Sequence, residues 1–138
     1  MLVNDQLSIC FTLFSFHSVQ EFLFNKNFSD TSLNVYWTGA LRITNCDDCC
    51  KRWYFTLNGA ECSGPLPIDG VVYIGQDNGQ NPHRVRHIEG HCNKIHEGNV
   101  RVGFWVANCA EYSASYNAYT GWNLVSRIFI EKVPKPQA

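Results

Sequence analysis

Cysteine is the residue type best placed to do chemistry in this chain. Four of its seven cysteines, Cys46, Cys49, Cys50 and Cys62, fall in the stretch CDDCCKRWYFTLNGAEC, and Cys10, Cys92 and Cys109 lie outside it. At such a density, cysteine is used for metal ligation in a reducing compartment and for cross-linking in an oxidising one. The ligand reading has some support. Cys46-x-x-Cys49 is a ligand-like spacing, and His83, His87, His91 and His96 follow it. The first three histidines are four residues apart, which keeps them on one face of a helix or of a strand. Pro82, Gly90 and the Val85/Ile88 pattern argue against a helix there. The histidines read as solvent-exposed loop residues, and neither a metal nor a cofactor is expected.

Cross-linking fits better. Cys49 and Cys50 are adjacent and do not bridge each other comfortably, because disulfide geometry requires Cα atoms roughly 4.4–6.8 Å apart in a suitable orientation. Each needs its own partner. Cys46, Cys62, Cys92 and Cys109 complete a set of six, and their order along the chain does not choose among the possible pairings. Cys10 is the odd residue: lost with the N-terminus, free, or bonded between chains. Asn27-Phe28-Ser29 is a sequon, so Asn27 is a glycosylation candidate in an extracellular setting.

Catalytic constellations are weak. Ser63 sits in Cys62-Ser63-Gly64, which lacks the pattern of a nucleophile elbow. Asp47 and Asp48 are neighbours in a turn, and Glu61, Glu89 and Glu111 lie beside turn residues or cysteines, with no acid and base opposed. A non-enzyme is expected. Trp37, Trp53, Trp105 and Trp122 could stack on sugars, which keeps a lectin-like module as the alternative function. Trp122, at a loop-to-strand junction, is expected to be the most exposed of them. At strand positions tryptophans more often anchor a core or an interface.

The elements that must position these residues are strands. Phe22, Phe24 and Phe28 alternate in part over 21–28. Leu33, Val35 and Trp37, then Leu41 and Ile43, alternate with polar residues, and Gly39 reads as a bulge or tight bend between them. Arg52–Leu57 is a strand closed by the Asn58-Gly59 turn signal. Val71–Ile74, Arg84–Ile88, Val100–Ala107 and Leu124–Lys132 complete the set. The polar segments Gly75–Pro82 and Ala110–Thr120 read as loops open to partners. Residues 1–20 stand apart from this pattern. Their apolar block, Leu7–Phe16, fits a weak signal peptide, a first strand or a segment outside the mature domain, which is set at 21–135.

Seven or eight short strands with Gly, Pro and Asn turns predict an all-β, antiparallel sandwich, jelly roll or barrel. The 138 residues suit one domain. Aromatic residues make up 14% and charged residues 17%, which argues against disorder, and the net charge of −1 argues against wholesale binding to nucleic acid or acidic membranes. No apolar run reaches the length of a membrane-spanning helix.

Several motifs are similar to those of the C-terminal globular domain of the collagen triple helix repeat-containing protein family. They are Cys49-Cys50-Lys51-Arg52-Trp53-Tyr54-Phe55-Thr56, Asn58-Gly59-Ala60-Glu61-Cys62-Ser63-Gly64-Pro65-Leu66-Pro67-Ile68, Glu89-Gly90 before Cys92, Trp105-Val106 before Cys109, and Thr120-Gly121-Trp122-Asn123-Leu124-Val125-Ser126-Arg127-Ile128. The similarity spans roughly Glu21 to Lys135. It implies a jelly-roll sandwich like the globular heads of complement and tumour necrosis factor proteins, which usually trimerise. It also implies a secreted, matrix-associated glycoprotein that binds matrix or cell-surface receptor proteins and is linked to cell migration and Wnt signalling. The chain departs from the pattern in carrying no Gly-X-Y repeat, in having Phe22 where the family has a cysteine, and in having His91 and His96.

Overall fold

The computed structural model describes residues 6–11, 18–27, 31–43, 47–75, 84–112, 118–120 and 126–134. Among these, nine strands and no helix are found. The strands are β1 (Gln6–Phe11), β2 (Ser18–Lys26), β3 (Thr31–Ile43), β4 (Cys49–Leu57), β5 (Asp69–Ile74), β6 (Arg84–Cys92), β7 (Gly98–Asn108), β8 (Ala118–Thr120) and β9 (Ser126–Pro134). They form two sheets, β1-β9-β3-β6 with β8 also on β3, and β2-β7-β4-β5. Every pairing is antiparallel. Except for β4 and β5, strands that neighbour each other in a sheet are distant in sequence. The chain crosses repeatedly between layers, and the architecture is a jelly-roll sandwich.

The alternation that defines the strands also defines the core. On β3, Leu33, Val35, Trp37, Leu41 and Ile43 point inward and are buried. Trp53, Phe55 and Leu57 on β4, Val100, Val102, Phe104 and Val106 on β7, and Ile128 and Ile130 on β9 meet them from both layers. Trp37 stacks on Phe104 across the sandwich, with centroids 5.2 Å apart, and Phe104 in turn contacts Phe55 at 4.8 Å. Trp53 is fully buried, and its Nε1 donates to Thr120 Oγ1 at 2.8 Å, linking the second sheet to β8 of the first.

Several expectations need correction. Gly39 is neither a bulge nor a bend: β3 is continuous, and Thr38, Gly39 and Ala40 pair in unbroken register with His87, Arg86 and Val85. What the position requires is space. A Cβ there would lie 2.8 Å from both Ser126 Oγ and Trp37 Cζ2. Gly39 also marks the place where β3 exchanges one partner for another, from β9 along 31–38 to β8 along 41–43. β8 itself lies within the segment read as a loop. It has three residues, too few to show a pattern. The strand over Arg84–Ile88 runs on to Cys92, and the one from Arg52 starts at Cys49. In the N-terminal segment, for which a first strand is one of the three readings, Gln6–Phe11 form β1 on the edge of the first sheet, and residue 20 falls inside β2.

The Asn58-Gly59 turn is where expected. Both residues have positive φ, 54° and 85°, and Leu57 and Ala60 pair across it, as a tight hairpin requires.

Candidate interaction faces

Two disulfides are seen among the described side chains. Cys50 bonds Cys109 and Cys62 bonds Cys92, with Cα separations of 5.4 and 5.8 Å. Cys49 is disulfide-bonded as well, so the adjacent cysteines do have separate partners. Cys46 lies outside the described residues. Cys50–Cys109 closes the end of β4 on β7 within the second sheet. Cys62–Cys92 ties the β4–β5 connection of the second sheet to the end of β6 in the first. Close packing supports that second link. Ile68 sits over Gly90 and Ile88 over Gly70, so each sheet presses an isoleucine onto a glycine of the other. With Cys49 oxidised, the zinc reading loses one of its proposed thiolates. His87 and His91 share the outer face of β6, both exposed; His83 lies outside the described residues.

Sequence reasoning missed two buried lysines. Lys26 is 1% exposed, and its Nζ donates to the Ile95 carbonyl at 2.8 Å. Lys51 is inward-facing on β4, and burial pushes its pKa down. Lysines are almost never fully buried without a partner, and position along an alternating strand was the one signal that would have placed them.

The outward faces of the two sheets are built differently. On the first sheet, Tyr36 stands opposite Phe129 and Glu89, and Thr38 stands opposite His87 and Arg127. The rings of Tyr36 and Phe129 stack at 5.1 Å and 12°, and the His87 ring lies 4.9 Å from Tyr36. Glu89 accepts from Asn34 Nδ2 at 2.9 Å and sits 2.7 Å from His87 Nε2. These contacts, with His87 foremost, hold its carboxyl below the usual range. Val85 extends the face at 68% exposure. Beyond it, Asn34, Glu89 and His91 border an open groove whose far wall is Pro65 to Asp69.

On the second sheet, Arg52 forms a two-pronged pair with Glu61, donates from Nε to Asp69 Oδ2 at 2.6 Å, and lies 4.7 Å over the Tyr54 ring. These partners, Glu61 first, raise its pKa. Trp105 lies opposite Tyr54, and its Nε1 donates to Thr56 Oγ1 at 2.7 Å. Tyr73 donates to Asp48 at 2.7 Å, a bond that raises its pKa. Leu23, Val71 and Tyr73 are exposed on this side. Of the four tryptophans, Trp37 and Trp53 are core and Trp105 is on the outer face; Trp122 lies outside the described residues. Asn27 follows β2 directly and is half-buried. Ser63 and Glu111 are exposed.

The described residues form a disulfide-braced antiparallel jelly roll with aromatic side chains displayed on both outer faces. The chain matches the family described as "CTHRC1, C-terminal domain" over residues 14–130. It belongs to that family.

Proposed function

We propose that this chain is the head of a secreted, matrix-associated protein that acts by binding, without catalysis, and assembles as a homotrimer. In this reading it engages matrix or cell-surface receptor proteins and modulates cell migration and Wnt signalling. The observation that carries the reading is the family match over most of the chain. The oxidised cysteines support an extracellular setting, since disulfides persist in oxidising compartments. We assign assembly to the outer face of the first sheet, where Tyr36 and Phe129 stack and Val85 is exposed further along β6, beyond His87. Asn27 would carry glycan at the edge of the second sheet, on the layer opposite that patch.

The test is sedimentation equilibrium of the protein purified from a secreting cell line. A trimer that dissociates on Phe129→Ser is the expected result; a monomer at micromolar concentration contradicts the assembly. Intact mass with and without reduction checks the compartment. Bridged cysteines and glycan mass at Asn27 are expected, and free thiols would remove the extracellular argument. Pulldown of receptor ectodomains by the trimer tests the signalling role.

A further inference from the structure

Trp105 is held in an unusual posture. It points outward from β7, yet its ring does not stand away from the sheet. A Cβ on Gly103, two residues back on the same face, would overlap Trp105 Nε1 and lie 2.9 Å from Cε2 and 2.6 Å from Thr56 Oγ1. The indole therefore lies down over the bare backbone of Gly103, fastened by its N–H to Thr56. Glycine at 103 is what makes room for it. The Nε1 edge of the ring covers Gly103, and the side chain is half-buried, so part of the indole is open to solvent.

Ion-paired charges surround the indole, with exposed Leu23, Val71 and Tyr73 at the margins of the face. Tyr54 stands directly across from Trp105, and Asp69 directly across from Tyr54, giving a row over three strands that spans roughly 10 Å. Arg52 is neutralised by Glu61 and Asp69, and Arg101 lies 3.5 Å from Glu21. Both arginines are met by carboxylates within the face, and Arg52 has two, so these five groups carry one net negative charge. A sulfated or otherwise anionic polymer would have to break these pairs to be held by the arginines. A protein partner uses tryptophan as an anchor that enters a pocket, and a ring lying on its own strand cannot enter one. A flat ligand with an apolar side and hydroxyls at its rim meets both conditions. Its C–H groups cover the indole, and its hydroxyls donate to the carboxylates of Glu61 and Asp69, which the guanidinium holds in place and which keep lone pairs free.

We propose that the outer face of the second sheet is a binding platform for neutral saccharides, with the Trp105 indole as stacking surface and Tyr54, Glu61 and Asp69 as its polar rim. Two linked sugar rings fit the length of the row. The site is on the opposite layer from the face assigned to assembly, so it operates whether or not the chain trimerises.

The test is saturation-transfer NMR on the secreted wild-type protein, with neutral hexasaccharides of glucose, galactose and N-acetylglucosamine, and a heparin hexasaccharide as the charged comparison. Transfer to at least one neutral probe is expected, with a saturable shift of the Trp105 indole N–H. Gly103→Ala lifts the indole and is expected to weaken binding roughly tenfold or more, as is Tyr54→Ala to a smaller extent. Tyr36→Ala, on the other layer, should leave binding unchanged, which separates this site from the assembly reading. Circular dichroism establishes that each variant is folded, and Trp105→Phe provides a milder lesion should Gly103→Ala fail that check. The proposal is overturned if no neutral probe saturates the wild type, if only heparin binds, or if folded Gly103→Ala and Trp105→Phe bind like the wild type.

Discussion

The two sheets share one core and display aromatic rings in opposite ways. On the first sheet, Tyr36 and Phe129 stack on each other, and His87 joins them from the next strand. Rings that pack side by side across strands present a continuous apolar surface, which suits a partner of the same kind. On the second sheet, Trp105 packs down on the backbone of Gly103, and the arginines are matched by carboxylates inside the face. What separates the two surfaces is a single bare position beneath a ring. Where the strand offers a Cβ, an aromatic side chain turns to its neighbours; where it offers glycine, the ring lies flat. Alternation decides which residues reach the surface, and small residues decide the posture they take there.

The largest effects should come from the disulfides, which hold the two faces in register by different means. Loop entropy assigns about 4 kcal/mol to each bridge, since the closed loops have sequence separations of 59 and 30. Similar losses are therefore expected in urea unfolding of Cys50→Ser/Cys109→Ser and Cys62→Ser/Cys92→Ser. The place of loosening should differ. Removing Cys62–Cys92 releases the first sheet from the second and should speed amide exchange along β6. Removing Cys50–Cys109 should speed it along β4 and β7. Identical exchange maps would mean that the sheets are not separable units.

The glycines come next. Gly90→Ala places a methyl 2.8 Å from Ile68 Cγ1 and 3.2 Å from its Cγ2, and Ile68 is a buried core side chain. A loss of about 1–3 kcal/mol is expected. Gly103→Ala displaces the Trp105 indole, which can swing outward into solvent, so its cost should fall at about 1 kcal/mol, the lower end of that range. Its fluorescence should shift to the red. If Gly103→Ala proved the costlier of the two, the indole would be part of the core and not a surface platform. Tyr36→Ala should cost about as much as Gly103→Ala. It removes a stack worth about 0.5–1.5 kcal/mol within the chain, while its effect on sedimentation should exceed its effect on melting.

Much of the sandwich was legible in the sequence, because alternation is physically tied to burial. Leu33, Val35 and Trp37 could be placed in the core from their spacing alone, and Asn58-Gly59 could be placed in a hairpin because few other pairs tolerate two positive φ values. Gly39 was misread for a definite reason. A glycine in a strand signals either a kink or a close approach, and only the positions of Trp37 and Ser126 distinguish them. The same ambiguity hid Gly103, whose role depends on a tryptophan two residues away on the same face. Thr120 on β8 could not be found, since three residues carry no period and their partner, β3, is far away in sequence. The pairing of Cys62 with Cys92 was likewise inaccessible, because it follows from which strand edges lie across from each other between the sheets.

The smallest expected effect concerns pH, and it falls on the first face. Glu89 on the first sheet is held below the ordinary carboxylate value of 4.5 by His87 first and by Asn34 second, with burial opposing. A carboxyl whose pKa is lower folded than unfolded contributes stability that is fully present above the unfolded value. That contribution fades as the pH falls through the lowered folded value, because the unfolded chain binds the proton first. The group is 45% exposed, so solvent screens most of the interaction and the effect on melting should be slight. Protonating Glu89 removes the charged acceptor that His87 and Asn34 share beside Tyr36, so acidification to the low end of the carboxylate range should disturb the Tyr36 and Phe129 rings. Proton NMR of the aromatic side chains, recorded as the pH falls from neutral to below 4.5, reads both faces in one experiment. Glu89→Gln should flatten the response of the first face and leave that of the second as it was. If the Tyr36 and Phe129 signals stay still over that range, or move equally in Glu89→Gln, the Glu89 contacts do not order the first face.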